Sequence, residues 1–272
     1  MTNDIKEKRK SIIENYGKWT AHNIKLTDDI YTIDKNFMGD RKAINCILQI
    51  IADNAKKKIS DTRILDLGCL EGMYSIELGL HGAEVVGIEG RQANIVKARF
   101  ARECLGLENI TFIQDDVLNI STDKYGYFDI ILCCGILYHL NTPDIFKFVK
   151  NMGEMCTGFT IIDTHYGEAE EYRKYNEKQY WGRTFQEFNE ETKPEDKEKS
   201  LWAALHNNQS FWFTPYSLFN LLRASEYTSV YQCFIPIVPG QHDDRFMLLA
   251  HKNKGINTKL TISNEIIEEY PF

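Results

Sequence analysis

The chain has 272 residues, of which 43% are hydrophobic and 26% are charged, and its formal net charge is -7. This composition is typical of a globular protein with one domain, or with one domain and a small second one. Proteins that bind nucleic acid mainly through its phosphates carry a basic surface, so the acidic balance argues against that class of function.

The seven cysteines are scattered along the chain, and no CxxC pair occurs among them. A metal centre is therefore not predicted, and free thiols in a reducing cytosol are the simplest interpretation. The N-terminus is charged and has no apolar core of a secretory signal, and no stretch is long enough to span a membrane. We therefore expect a cytoplasmic protein without a membrane partner.

Residues 1–60 are predicted to form an N-terminal helical cap. "DIKEKRKSIIENY" and "DRKAINCILQIIADNAKKKI" are typical of helices, and a more extended segment joins them. From residue 62 onward, strands alternate with helices, and the strands are "RILDLG", "EVVGIEG", "ITFIQDDV", "YFDIILCCG" and "GFTIIDTH". Alternation with nearly continuous apolar strands predicts an α/β fold, in which helices cover both faces of a parallel sheet.

Residues 166–213 break this alternation and are rich in aromatic and charged side chains. Because the segment is too long for an ordinary connection, it predicts an ordered insertion, helical and aromatic, that forms a lid over an acceptor. A helix beginning at Thr214 and two antiparallel strands follow it. The predicted organisation is therefore a core over 61–253 that carries the insertion, and a C-terminal tail over 254–272.

The loop "DLGCLEG" between the first strand and its helix predicts a cofactor site. Gly68 and Gly72 let the backbone turn tightly and approach a ligand, and Asp66 ends the strand at the edge where ligands of open α/β sheets bind. Glu89 follows the second strand at the spacing of a carboxylate that accepts hydrogen bonds from ribose hydroxyls. Asp115 and Asp116 follow the third strand, where they can read an adenine amino group.

Two features of this loop argue against a dinucleotide cofactor. Leu70 stands in the place of the second glycine of G-x-G-x-x-G, which leaves a poorer cradle for a pyrophosphate. Asp66 and Glu71 would repel phosphate but suit a cationic ligand, such as an amino group or a sulfonium. An NAD-dependent dehydrogenase therefore remains the weaker alternative.

The stretches "ILDLGCLEG", "VVGIEG", "FIQDDV" and "FDIILCCGILYHL" resemble the four ordered motifs of class I S-adenosylmethionine-dependent methyltransferases. The resemblance implies a Rossmann-like, doubly wound, seven-stranded sheet with its last strand antiparallel. It also implies S-adenosylmethionine as cofactor and S-adenosylhomocysteine as product. The predicted cofactor-binding residues are Asp66, Gly68, Cys69, Glu71, Gly72, Glu89, Gly90, Arg91, Asp115, Asp116, Val117, Gly135 and, in the N-terminal segment, Trp19.

The residues that follow the fourth strand face the transferred methyl group in that family. His139 is the first candidate for a general base, although a histidine here can also simply shape the pocket. His165, after the fifth strand, has the same two interpretations. Tyr138 can contact cofactor or acceptor, or can pack the pocket wall. Two histidines without a close spacing do not define a metal site, so none is predicted.

In the insertion, Tyr172, Arg173, Trp181, Arg183 and Trp212 are predicted to contact the acceptor. The aromatic rings can form a stacking wall and the arginines can hold a carboxylate or phosphate, although a small satellite core is an alternative. We expect a methyltransferase that acts on an oxygen or nitrogen of a small molecule. "GILYHL" and "SFWFTPYSLFNLL" are also similar to a subgroup that includes transferases modifying the wobble uridine of tRNA, and a non-catalytic cofactor-binding protein is a third hypothesis.

Overall fold

The computed structural model describes residues 2–39, 41–233 and 243–254. All of the predicted tail except Lys254 therefore lies outside the described residues. The strands are β1 (Arg63–Leu67), β2 (Glu84–Glu89), β3 (Ile110–Gln114), β4 (Phe128–Cys134), β5 (Cys156–His165), β6 (Glu171–Tyr175), β7 (Lys178–Gln186), β8 (Gln209–Phe213), β9 (Ser229–Cys233) and β10 (Arg245–His251). The helices are α1 (Thr2–Tyr16), α2 (Arg41–Asn54), α3 (Met73–Leu80), α4 (Gln92–Leu105), α5 (Thr122–Tyr125), α6 (Asp144–Met155), α7 (Pro194–Lys199) and α8 (Pro215–Ala224).

Seven strands form one sheet in the order β3-β2-β1-β4-β5-β10-β9. Strands β1 to β5 pair in parallel, whereas β10 is antiparallel to both of its neighbours. The predicted Rossmann-like sheet with its last strand antiparallel is confirmed. Strand order reverses between β1 and β4, which is the place where open α/β sheets bind ligands at their carboxyl edge.

The sheet is covered on both faces because its central strands are apolar on both sides. Leu65 of β1 lies beside Val86 of β2 and Ile131 of β4, and these three side chains belong to one buried cluster that α6 and α8 complete. The neighbouring Ile64 belongs to a second buried cluster on the other face, which is completed by α2, α3 and α4. Successive residues of β1 thus point into opposite cores, as the pleat of a strand requires.

The two helices predicted in the first 60 residues are present as α1 and α2, and the segment between them is partly buried, with Trp19, Ile24, Leu26 and Ile30 among its buried residues. The predicted helix after the insertion is also present, and the Thr214 side chain accepts a hydrogen bond from the backbone N–H of Ser217 at its first turn. Within the described residues, no helix combines the length and the apolar character that a membrane span requires.

The insertion is mainly a three-stranded antiparallel sheet, in the order β6-β7-β8, and its one helix is the six-residue α7. The prediction of a helical insertion is therefore correct only for α7. A two-residue turn joins β6 to β7, and both of its residues, Asn176 and Glu177, have positive φ (47° and 62°). Such a turn usually contains glycine, and this one does not. The sequence therefore contains only a weak indication of a β-hairpin here. Tyr180, Phe211 and Phe213 of this sheet belong to the same buried cluster as Leu65, which makes the insertion part of the core.

Candidate active site

A cavity of about 1480 Å³ opens at the carboxyl edge of the seven-stranded sheet. One side is formed by the residues that follow β1, β2, β3 and β4, and the other side by the insertion and the start of β10, while the N-terminal segment and α2 supply a further part of the wall. Of the predicted site residues, those that line the cavity are Asp66, Gly68, Cys69, Glu89, Gly90, Arg91, Asp116, Val117, Gly135, Tyr138, His139, His165, Arg183 and Trp212. The topology therefore brings most of the predicted cofactor and chemical residues to one place.

The glycine loop requires its glycines for two different reasons. Gly68 has a φ of +67°, and a Cβ there would lie 3.1 Å from the Ile136 side chain across the cavity wall. Gly72 has a φ of +86°, and a Cβ there would lie 2.7 Å from Phe112 and 2.8 Å from Ala98. Gly68 thus keeps the loop open to a ligand, whereas Gly72 lets α3 begin against the core and does not line the cavity.

Two buried carboxylates lie under this loop. Asp66 is 2% exposed and accepts a 2.7 Å hydrogen bond from the Ser75 hydroxyl, and burial raises the pKa of its carboxyl to about 6. Glu89 accepts hydrogen bonds from the backbone N–H groups of Leu70 (3.0 Å) and Arg91 (2.8 Å), and burial raises its pKa as well. This end of the cavity therefore favours a ligand that brings positive charge or hydroxyl donors.

Glu71 does not face the cavity, contrary to its predicted role. Its side chain is fully buried, forms a 3.2 Å ion pair with Lys97, and accepts hydrogen bonds from the backbone N–H groups of Thr20 (2.9 Å) and His22 (3.2 Å). Its carboxylate therefore anchors the N-terminal segment to the glycine loop. Trp19 is likewise outside the cavity wall, because it packs against Phe100 with ring centroids 6.0 Å apart.

The two acids that follow β3 have different environments. Asp115 accepts hydrogen bonds from Asn119 (3.0 Å), Lys124 and Tyr125, and lies outside the cavity wall. Asp116 lines the cavity and accepts a 2.9 Å hydrogen bond from the backbone N–H of Leu118, which fixes the turn containing Val117. Adenine recognition by this segment is therefore open to Asp116 and Val117 but not to Asp115.

Arg91 contacts the insertion through its guanidinium. Its Nη2 donates to the backbone carbonyls of Lys197 (3.2 Å), Ala203 (3.0 Å) and Ala204 (2.9 Å). Arg91 thereby fastens the segment between α7 and β8 to the end of β2. The predicted cofactor residue thus links the two sides of the cavity, as does His206 of the insertion, whose Nε2 lies 3.8 Å from Asp116 Oδ2.

Each of the two predicted histidines pairs with a carboxylate that the sequence analysis missed. His139 Nδ1 lies 2.9 Å from Glu187 Oε1, and His165 Nδ1 lies 2.7 Å from Asp244 Oδ1. Both imidazole rings contact Tyr138, with centroid separations of 4.3 Å and 4.7 Å. The partners are 48 and 79 residues apart, so no local pattern connects them.

The predicted acceptor residues fall into two groups. Trp212 lies in the cavity wall, stacked between His165 (4.8 Å) and Phe185 (4.4 Å), and Arg183 lies over its ring and pairs with Asp244 at 3.3 Å. The members of the other group, which lie outside the cavity wall, are Tyr172, Arg173 and Trp181. Tyr172 and Trp181 are exposed and contact each other, and Arg173 pairs with Glu171 of the same strand, β6, which is an edge strand of the small sheet.

No cluster of three or more His, Cys, Asp or Glu side chains suited to a metal ion occurs in the described part of the chain. The charged side chains of the cavity wall are unbalanced, with seven acids and four bases. The acids are Asp66, Glu89, Asp116, Asp144, Asp163, Glu187 and Asp244, and the bases are Lys42, Arg91, Arg183 and Arg245. Arg245 is matched by Asp163 through two hydrogen bonds of 2.9 Å and 2.8 Å.

A sequence model of a family described as a methyltransferase domain matches residues 58–204, which is more than half of the chain. The chain belongs to this methyltransferase-domain family. Together with the strand order, the match confirms the prediction of a class I S-adenosylmethionine-dependent methyltransferase.

Curated proteins that are similar in sequence to this chain are also methyltransferases. A ubiquinone biosynthesis O-methyltransferase from Rickettsia prowazekii is 28% identical over 123 residues, which are 44% of this chain and 46% of that protein. The 23S rRNA (uracil(1939)-C(5))-methyltransferase RlmD of Shewanella halifaxensis is 41% identical, but only over 58 residues, 21% of this chain and 13% of that protein. The chain thus spans about half the length, or less, of the curated relatives it matches.

Solved structures show the same fold over most of the chain. The N-terminal domain of EvdMO1, crystallised with S-adenosylhomocysteine and D-fucose, has a TM-score of 0.69 at 20% identity, with 92% of this chain and 97% of that chain covered. Magnesium protoporphyrin IX methyltransferase from Synechocystis PCC 6803, with bound S-adenosylmethionine, has a TM-score of 0.53 at 14% identity, with 78% and 79% covered. At these identities the likeness shows the fold alone.

Proposed function

We propose that the chain transfers the methyl group of S-adenosylmethionine to an oxygen, or less favourably a nitrogen, of a neutral small molecule that bears hydroxyl groups. The observation that carries this proposal is that one cavity joins the carboxylate-lined glycine loop to a histidine held by a carboxylate. The first side suits the cofactor, and the second suits removal of a proton from the acceptor.

The residues of the first side fit the cofactor. The carboxylates of Asp66 and Glu89 suit its cationic amino group and its ribose hydroxyls, while Asp116 and Val117 border the place for its base. The same carboxylates disfavour the pyrophosphate of a dinucleotide, which weakens the dehydrogenase alternative. When bound, S-adenosylmethionine supplies an electrophilic methyl group on a sulfonium.

His139 is the proposed general base. It lines the cavity, its Nδ1 is held by Glu187, and no described residue hydrogen-bonds its Nε2. In our proposal Nε2 would accept the proton of an acceptor hydroxyl, and the oxygen would keep the electron pair that bonds to the methyl carbon. The bond between that carbon and sulfur would break, and its electron pair would stay on the sulfur of the product S-adenosylhomocysteine. A base of this kind contributes about a hundred- to ten-thousandfold to a rate.

The charge of the cavity argues against an anionic acceptor. Seven acids and four bases line the wall, so an anionic acceptor, including the phosphates of tRNA, would meet repulsion. Phe185 and Trp202 line the wall with 39% and 58% of their surface exposed, and they offer apolar faces beside the polar groups. The crystal structure of EvdMO1 in the presence of D-fucose supports a sugar-like acceptor, and the insertion 166–213 supplies its wall in our proposal.

The test combines binding and transfer. Calorimetric titration with S-adenosylhomocysteine should give saturable binding. The protein should then be incubated with S-adenosylmethionine carrying a labelled methyl group and with separate panels of neutral sugars and polyols, amines, carboxylic acids and tRNA. Label in the neutral hydroxyl panel supports the proposal, whereas label in tRNA or in the acids alone would overturn the acceptor class.

A further inference from the structure

The base is held by a side chain that the insertion supplies. Glu187 directly follows β7, and its side chain is only 3% exposed. Its Oε1 lies 2.9 Å from His139 Nδ1, and its Oε2 accepts a 3.0 Å hydrogen bond from the backbone N–H of Ala204. Both carboxylate oxygens therefore have defined partners.

We infer that Glu187 is a positioning residue that keeps the proton of neutral His139 on Nδ1 and so leaves Nε2 able to accept a proton. The inference rests on the proposed role of His139 as the base. It follows from the donor and acceptor properties of the two groups. An ionised carboxylate only accepts hydrogen bonds, and a neutral imidazole has one nitrogen that donates and one that accepts.

Glu187 stays ionised in this environment. Burial raises the pKa of its carboxyl, but the hydrogen bonds with His139, the Ala204 N–H and Ser210, and the positive charge that His139 carries when protonated, lower it by more, so the pKa lies below its usual value. The same carboxylate stabilises the imidazolium that forms when Nε2 accepts the acceptor proton. The proton afterwards leaves Nε2 for water, which returns His139 to its starting tautomer.

The N–H of Ala204 makes this arrangement specific for a carboxylate. The Glu187 carboxylate also has a hydrogen bond with the Ser210 side chain, but a hydroxyl can donate or accept and so does not fix the orientation of an amide. A glutamine at position 187 has one oxygen and one NH2 group, so its oxygen can face only one of the two N–H donors. Ala204 is fully packed, with 1% exposure, and its carbonyl is held by Arg91 at 2.9 Å. The amide oxygen of Glu187→Gln should therefore face the Ala204 N–H, and its NH2 group should face Nδ1 of His139.

Glu187→Gln is thus expected to reverse the tautomer of His139. With Nδ1 accepting from the amide, the ring proton moves to Nε2, which then donates and cannot act as the base. The change keeps the volume and shape of the side chain, so the fold of the insertion should persist. Reversal of a tautomer by a carboxylate-to-amide change in a histidine–carboxylate pair lowers kcat by about ten-thousandfold in the best-studied case, a serine protease.

The test is nitrogen-15 NMR of the histidine rings at mildly alkaline pH, with the His139 signals assigned by comparison with His139→Gln. The wild type should show a protonated Nδ1 and an unprotonated Nε2, and Glu187→Gln should show the reverse. Asp244→Asn is the matched control, since it removes the carboxylate from the other histidine and should leave the His139 pattern unchanged. This readout needs neither cofactor nor acceptor.

Wild-type His139 protonated on Nε2, or an unchanged tautomer in Glu187→Gln, would overturn the inference. With a methyl acceptor in hand, Glu187→Gln should lower kcat about a hundred- to ten-thousandfold while the KM for the acceptor changes less than threefold. A reversed tautomer with normal kcat would show that His139 is not the base, which contradicts the proposed function and leaves the tautomer assignment standing. If Glu187→Gln raised the KM for the acceptor and lowered the fraction of folded protein while kcat stayed normal, the role of Glu187 would be merely structural.

Discussion

The two sides of the cavity are built in different ways. On the cofactor side, Asp66 and Glu89 lie at the ends of adjacent parallel strands, and backbone N–H groups of nearby residues hold Glu89. On the acceptor side, His139 and His165 depend on carboxylates that come from the insertion and from the start of β10. The first side follows from the sheet alone, whereas the second requires separate segments to meet.

This difference implies that binding of the cofactor and removal of the acceptor proton can be damaged separately. Changes at the strand ends should alter affinity for S-adenosylhomocysteine, and changes in the histidine–carboxylate pairs should alter turnover. Arg91 is one direct link between the two sides, since it follows β2 and donates to carbonyls of the insertion. The following variants test whether the sides are as separable as their construction indicates.

The largest effect is expected for His139→Ala. Loss of the base should lower kcat about a hundred- to ten-thousandfold, while affinity for S-adenosylhomocysteine changes less than threefold, because the ring belongs to the acceptor side. Steady-state kinetics and calorimetry give the two quantities. His81→Ala is the matched control, since His81 is exposed at the end of α3. Unchanged kcat with the true acceptor would rule out the base.

Glu71→Gln should affect stability and not the cofactor directly. The change leaves Lys97 buried without its charge partner, which costs about 3–5 kcal/mol in the free energy of unfolding. Urea unfolding measures this loss, and Glu77→Gln, which alters an exposed pair with His81, should change stability by less than about 0.5 kcal/mol. If Glu71→Gln lost cofactor affinity at full stability, the original prediction of a cofactor role would be restored.

Asp66 should produce a pH-dependent stability. Burial raises its pKa from the ordinary 3.8 to about 6, so the folded protein binds this proton more tightly than the unfolded chain does. The raised pKa therefore makes stability fall as pH rises from about 4 to about 6, by at most roughly 3 kcal/mol. Asp66→Asn should remove this loss, so its stability relative to the wild type should increase across that window. Urea unfolding at several pH values tests the sign, and a constant difference would contradict it.

The smallest effect is expected within the insertion. Arg183→Ala should raise the KM for the acceptor about fivefold, because Arg183 lines the cavity and orients Asp244 through a partly exposed ion pair. Arg173→Ala is the matched control from the outer edge of the same small sheet, and it should change KM by less than twofold. Equal effects of the two variants would show that the acceptor extends over the outer surface.

The sequence was sufficient to predict the parallel sheet, the glycine loop and the acids at the strand ends. These features depend on neighbouring residues, such as the apolar run before Asp66 and the spacing to Glu89. It did not predict the strands β6 to β8, because the turn at Asn176 and Glu177 lacks glycine. The sequence analysis assigned Glu71 to the cofactor because the loop sequence around it does not show whether the acid faces a ligand or forms a buried ion pair with Lys97.

Glu187 and Asp244 were missed for a different reason. Each lies in a charged, turn-rich stretch in which an exposed carboxylate is the ordinary interpretation, and only the tertiary fold brings it to a histidine. The sequence also did not show which predicted acceptor residues line the cavity. Arg173 and Arg183 lie in similar aromatic and charged stretches, but they belong to different strands of the small sheet. Pairings across long sequence distances need the structure.

The most direct measurement is calorimetric titration of S-adenosylhomocysteine into the wild type and into Glu89→Ala. Glu89→Gln serves as a control that keeps the side-chain volume, and unfolding curves confirm that all three proteins are folded. We expect saturable binding to the wild type and an affinity about ten- to a hundredfold lower for Glu89→Ala, which loses hydrogen bonds to a charged group. Absence of binding to the wild type, or equal affinity in Glu89→Ala, would contradict the assignment of this cavity to the cofactor.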